Sequence, residues 1–183
     1  MKRTCSLLLF LLGMAMAGVL RAEKADANKP TTIEADRMEY DDVRQINTFT
    51  GNVVLVRGTL LLTAARLVVT QALAGYQDAT LYAGPAKPAT FRQKRDGGPD
   101  LWIEGEAADR IEYDTKSEIA KFYVKAHIRL LEGKKVTDEV QGEFISYDSK
   151  AEFFSVNNAV GGSKPGSGRI RATIQPRNDG KGK

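Results

Sequence analysis

The chain has 183 residues, with 27 Lys and Arg against 23 Asp and Glu, a formal charge of +4, one histidine and one cysteine. A single cysteine excludes an internal disulfide framework and a thiolate metal centre. Lys2, Arg3 and Arg21 supply three of the four net charges, so a chain beginning at Glu23 carries only +1 and lacks the basic balance of a nucleic-acid binder.

The N-terminus reads as a targeting segment. Met1-Lys2-Arg3 is a basic start, Ser6 to Val19 is apolar or small without charge, and cleavage is expected after Ala17 or after Ala22. That run falls short of the ~20 apolar residues a spanning helix needs. Cys5 precedes it and leaves with residues 1–22, which suits an oxidising compartment. Residues 23–30 are expected to be a flexible lead-in and 31–175 a single domain, since roughly 160 residues can bury a substantial core.

From Thr31 the apolar period is close to two, as in strands with one buried face. Ile33, Met38 and Tyr40 alternate with charges, with a one-residue bulge expected near Asp36-Arg37. Phe49, Val53 and Leu55 form the next arm, and Leu60, Leu62, Ala64, Leu67 and Val69 the one after it. β-branched and aromatic side chains favour strand over helix. Only Ala72 to Gly75 suits a single helical turn. Gly58 and Gly133 supply the positive φ of tight hairpins. Arg92 to Asp100 reads as a polar loop, after which Trp102 to Gly105 resume the alternation. Gly161 to Gly168 is a connector before a last strand, Arg169 to Gln175, and residues 176–183 are an apolar-free, disordered basic tail.

The stretch Ala35 to Asp41 returns with one change as Ala108 to Asp114, and more loosely as Gly142 to Asp148. Repeats of one strand-and-turn unit bury their apolar faces against one another. Matched by apolar parity, Phe49 to Leu55 corresponds to Val124 to Leu130. The fold class is therefore all-β: an elongated, twisted jelly roll, or stacked antiparallel sandwich of repeated strand pairs, with an apolar interior seam.

Catalytic chemistry is sparse. His127 is read as turn or solvent-facing, Gly133-Lys134-Lys135 lacks the glycine and Ser/Thr of a phosphate loop, and no metal-ligand spacing or cofactor motif is present. Glu34, Asp36, Glu39, Asp109 and Glu112 alternate with core positions and belong to the outer face. Asp36-Arg37 and Asp109-Arg110 read as a recurring surface pair. A non-enzymatic carrier or scaffold fits better than an enzyme.

The runs Lys29 to Asp36, Thr48 to Gly58 and Lys87 to Phe91, with their Thr-Gly-Asn-Val and Lys-Pro-Ala-Thr-Phe elements, resemble the OstA-like domain family, the LptA-type periplasmic lipopolysaccharide-transport proteins. The likeness extends over Lys29 to Pro176. It implies a V-shaped jelly roll holding lipid A acyl chains between its sheets. It also implies head-to-tail self-association into a bridge between inner- and outer-membrane components of the transport machinery. Thr31, Ile33, Met38, Tyr40, Phe49, Leu62, Phe91, Ile111 and Tyr113 share inward parity, and the resemblance places lipid contact on their strands. Arg57, Arg92, Lys94 and Arg95, near turns, are candidate cations for a headgroup rim, with solvated loop charge the plainer reading. The alternative is an envelope assembly scaffold without bound lipid, with a lipocalin-like barrel third.

Overall fold

The computed structural model describes residues 26, 28–71, 77–159 and 168–176. The leader, the proposed helical turn at 72–75, nearly all of the glycine connector and nearly all of the tail lie outside the described residues. Among those described, twelve strands follow in order: β1 (Thr31–Glu34), β2 (Arg37–Asp41), β3 (Ile46–Arg57), β4 (Leu60–Gln71), β5 (Gln77–Tyr82), β6 (Ala89–Lys94), β7 (Leu101–Ala107), β8 (Arg110–Asp114), β9 (Ile119–Glu132), β10 (Lys135–Asp148), β11 (Phe153–Asn157) and β12 (Arg171–Ile174). All pair antiparallel in one hydrogen-bonded ladder. Arg92 and Lys94 therefore belong to strand β6 rather than to a loop.

The four long strands divide this ladder into two layers. One half of β3 pairs with β1 and the other with β2; β4 divides between β6 and β5, β9 between β7 and β8, and β10 between β12 and β11. One layer thus runs β1-β3-β4-β6-β7-β9-β10-β12 and the other β2-β3-β4-β5-β8-β9-β10-β11. The layers face each other, because the Phe91 ring of the first meets Tyr113, Phe122 and Tyr147 of the second at 6.3, 5.8 and 6.2 Å between centroids. Gly105 sits under this contact: a Cβ there would approach the Phe122 ring to 2.4 Å. The result is a jelly roll in the sense the periodicity predicts.

Bulges mark where the long strands pass from one layer to the other. Gly51 and Asn52, at φ 84° and 45°, bulge between the Thr50–Arg66 and Val53–Ala64 pairs. Asp36 closes the turn from outside, its amide donating to the Gly51 carbonyl and its carboxylate accepting from Asn52 Nδ2, each at 3.0 Å. This is the structural content of the Thr-Gly-Asn run. The expected irregularity at Asp36 is present as the break between β1 and β2. In the second repeat the left-handed pair is Val124 and Lys125, at φ 66° and 49°, and Ala108 N donates to Val124 O. Arg37 pairs Thr50 as Arg110 pairs Tyr123. Phe49 is thus the counterpart of Phe122, not of Val124. The parity match was two residues out of register, because a shift of two leaves every side chain on its own face.

The core is one cluster that runs the length of the ladder, from Phe49 and Leu55 through Leu81, Phe91 and Ile111 to Ile145 and Tyr147. It ends where strands run out. Among the described strands β1 and β2 pair only with β3, and β11 and β12 only with β10, so each end of the ladder shows two strand edges, one from each layer. One point of the expected flexible lead-in is held: Asp26 is buried, and its carboxylate accepts from the Thr59 amide at 2.8 Å and from the Thr59 hydroxyl.

Candidate functional site

The candidate site is the inner face of the two layers. Directly opposed residues of an antiparallel pair share a face, so the register assigns it strand by strand. Thr31 lies opposite Arg57, Ile33 opposite Leu55, Met38 opposite Phe49 and Tyr40 opposite Asn47. Phe49 and Leu55 are buried in the core, which puts all of these side chains on the inner face. The nine predicted inward residues have this placement in common but not their burial. Phe49, Leu62, Phe91, Ile111 and Tyr113 are buried, Ile33 is half-buried, and Thr31 is exposed. Met38 and Tyr40 retain 56% and 53% of their exposure. Inward parity does not bury them, because nothing among the described residues covers β2 from the facing layer. Tyr40 hydrogen-bonds Asp42 at 2.8 Å, and that carboxylate pushes the phenol up.

The opposite end behaves alike. Ile103, Leu130, Asp138 and Ile174 form one row across β7, β9, β10 and β12, and Ile174 at its end is 75% exposed. Phe154 and Val156 of β11, opposite the buried Tyr147 and Ile145, are only partly buried. Apolar side chains of the inner face thus continue past the closed core to both ends, with Asp138 the polar member of the β10 row.

The proposed cationic rim separates into two kinds of residue. Arg92 faces out, pairs with Glu104 at 2.6 Å and stacks over Trp102 at 4.5 Å. Lys94 flanks the same indole at 6.0 Å, and Arg95 bonds Glu152 at 3.0 Å, tying the β6 end of one layer to the β10–β11 turn of the other. Arg57 is different, and its assignment as a solvated turn residue is corrected. It is buried, on the inner face, and its Nη2 donates to the Tyr113 hydroxyl at 2.8 Å across the two layers. The parity that Arg57 shares with Val53 and Leu55 carried this signal, and proximity to the Gly58 turn obscured it. A cavity of about 20 Å³ lies beside the pair, lined by Thr31, Leu55, Leu60, Val69 and Gln77, room for about one water.

The outer face carries the ion pairs. Arg110 Nε donates to Glu112 at 2.8 Å, Tyr123 donates to the same carboxylate at 2.7 Å, and Arg110 lies 3.8 Å over the Tyr123 ring. Burial pushes Glu112 up, but these hydrogen bonds outweigh it and hold the carboxyl below its usual range. Burial and the bond to Glu112 push Tyr123 up to about 12. The pair that recurs is Arg37–Glu39 with Arg110–Glu112; Arg110 also bonds Asp109, whereas Asp36 accepts from Asn52 and makes no ion pair with Arg37. His127 is not in a turn. It sits on the outer face of β9 between Glu106 at 3.2 Å and Glu139 at 3.5 Å, with 16% of its side chain exposed. No cluster suited to a metal ion occurs among the described residues, and no described helix is long and apolar enough to cross a membrane.

Two layers with a continuous apolar face, open at both ends, match one family. The model of the LptA/(LptD N-terminal domain) LPS transport proteins matches residues 32–153. The chain belongs to this family. It is 28% identical over 174 residues to the lipopolysaccharide export system protein LptA of Haemophilus influenzae, covering 94% of this chain and 92% of that protein. It is 31% identical over 137 residues to LptA of Escherichia coli K12, covering 73% of this chain and 69% of that one. The crystal structure of LptH, the LptA-homologous periplasmic component of the lipopolysaccharide transport device of Pseudomonas aeruginosa, superposes with a TM-score of 0.71 at 26% identity. The superposition covers 82% of this chain and 99% of that one. These relatives carry transport names, and the fold is theirs.

Proposed function

We propose that the chain is a periplasmic lipopolysaccharide carrier that shields lipid A acyl chains against the inner face of its two layers. Each exposed methylene costs ~0.8 kcal/mol in water, so lipid crossing an aqueous space requires a continuous apolar track. The observation that carries this reading is the inner face exposed at its ends, at Met38 and Tyr40 on one side and Ile174 on the other. Thr31, Ile33, Phe49, Leu62, Phe91, Ile111 and Tyr113 extend the same face inward, where chains enter as the layers part.

The two pairs of strand edges support self-association. An edge with unpaired N–H and C=O groups recruits a partner strand. If β12 of one copy meets β1 of the next while β11 meets β2, both layers continue and so does the apolar face between them. Such head-to-tail pairing is heterologous and need not close, which suits a bridge to related β-domains in inner- and outer-membrane components. Sedimentation is expected to show concentration-dependent oligomers that stop growing when residues 169–183 are deleted. A monomer at every concentration would count against the pairing.

The filled core favours a second reading, a scaffold of the envelope without bound lipid. Organic extraction of the purified protein separates the two. Lipid A in the mass spectrum, lost in Met38→Asp and retained in Glu39→Lys, supports the carrier; an empty extract from wild type supports the scaffold.

A further inference from the structure

Arg57 is a buried cation of the inner face, most of whose hydrogen-bonding capacity the fold leaves unused. It is 8% exposed, and none of the described carboxylates lies within ion-pair distance of it. Of its five N–H donors, one is used by the neutral Tyr113 hydroxyl, and its Nε is buried with no partner. The Tyr113 ring face, 5.6 Å from the guanidinium carbon, offers only a partial counter-charge. Two strands further along the same layer, buried Gln93 likewise has an unpartnered Oε1. A cation held this way destabilises a β-core, because desolvation of the charge is not offset by a paired anion. Leucine or methionine would suit the position better if packing were its only task.

We propose that Arg57 is an anion anchor inside the apolar seam, which takes a phosphate carried on an amphiphile and releases Tyr113 when it does so. The chemistry fits on three counts. A guanidinium presents a planar fork to two phosphate oxygens, and the unused Nε and Nη donors are the ones such a pair needs. Arg57 stands at the free ends of the two layers, beside Thr31 and the small cavity, so a headgroup reaches it from solvent while acyl chains run inward past Leu55 and Leu60. The Tyr113 hydroxyl occupies the place of a ligand oxygen and is a neutral, exchangeable acceptor. With room for about one water, the resting cavity excludes a phosphate until that bond breaks. Anion binding and parting of the layers are therefore one event.

This rests on the carrier reading, and the test keeps the two apart. Affinities of the full chain are measured for lipid A, for the same lipid after enzymatic removal of its phosphates, and for inorganic phosphate, in wild type, Arg57→Gln and Arg57→Met. The expected result is that both variants lose about tenfold or more on phosphorylated lipid, as for a charged hydrogen bond. They keep wild-type affinity for the dephosphorylated lipid, and Arg57→Met melts at or above the wild-type temperature. Equal affinity of variant and wild type for lipid A, or an equal loss on both lipids, overturns the anchor and leaves carriage standing. A lower melting temperature for Arg57→Met shows a structural arginine and also overturns it. Inorganic phosphate bound as tightly as the lipid makes Arg57 a plain anion site and removes the amphiphile from the proposal. Wild-type protein that binds neither lipid overturns the carrier reading and the anchor with it.

Discussion

The heptapeptide Ala35 to Asp41 and its copy Ala108 to Asp114 have nearly one sequence and nearly one local structure, yet opposite environments. Met38 lies opposite Phe49 as Ile111 lies opposite Phe122, and Tyr40 and Tyr113 follow two residues later on the same face. Ile111 and Tyr113 are 0% and 3% exposed, whereas Met38 and Tyr40 stay more than half exposed. The difference is position in the ladder. β8 lies between β5 and β9 with the Phe91 ring over it, while β2 pairs only with β3 among the described strands. One copy of the unit is core, and the other leaves the same face open.

A charge placed at the equivalent positions tests that contrast most strongly. Ile111→Asp buries an unpaired carboxylate and is expected to cost ~3–5 kcal/mol, enough to unfold much of the population. Met38→Asp should cost less than ~1 kcal/mol in urea denaturation, since surface substitutions rarely cost more. It should nevertheless abolish lipid recovery. Similar losses of stability at both positions would erase the distinction between core and open face.

Packing between the layers gives the next effect. Gly105→Ala drives a methyl into the Phe122 ring and should cost about 1–3 kcal/mol, as overpacking does. A cost near zero in equilibrium unfolding would mean that the layers already part easily there. The two layer crossings offer a sharper comparison. Gly51 is suited to its left-handed φ, while Val124 occupies φ 66° against the preference of a β-branched residue. Val124→Gly is therefore expected to raise stability by about 1 kcal/mol and Gly51→Val to lower it by about 2 kcal/mol or more. Matching signs in thermal melts would refute the equivalence of the two bulges.

The smallest effect lies on the outer face. The folded Glu112 carboxyl is held below its ordinary range. Its contribution is thus present above the unfolded value and disappears as pH falls through the folded one. Glu112→Gln should melt lower than wild type near neutral pH and converge with it in acid. The difference should stay under ~1 kcal/mol because the group is partly solvent-screened. A gap that widens in acid would reverse the assigned sign.

Several features of the site were legible in the residues and others were not. Alternation placed all nine candidate side chains on one face, and the repeats announced a stack with an apolar interior. It did not reveal the register between repeats, because period-two patterns are unchanged by a slip of two, and only the left-handed pair at Val124-Lys125 resolved it. Arg57 shows the opposite error: its parity pointed inward, but a charged residue beside a glycine turn is usually solvated. Phe122, which meets the Phe91 ring edge-on, is not singled out by the sequence, because its partner lies on a strand far away in the chain.

The sequence by itself determined the strand type, the turns at Gly58 and Gly133, the face of each apolar residue and the absence of familiar catalytic motifs. These follow from local sterics and a two-residue period, which adjacent residues specify without help from distant ones. Tertiary structure alone decided which copies of the unit are buried, which arginine turns inward, and where the apolar face stays open. Burial depends on what covers a strand from the facing layer, and that is settled by pairings between residues such as Phe91 and Tyr147, 56 positions apart in the chain.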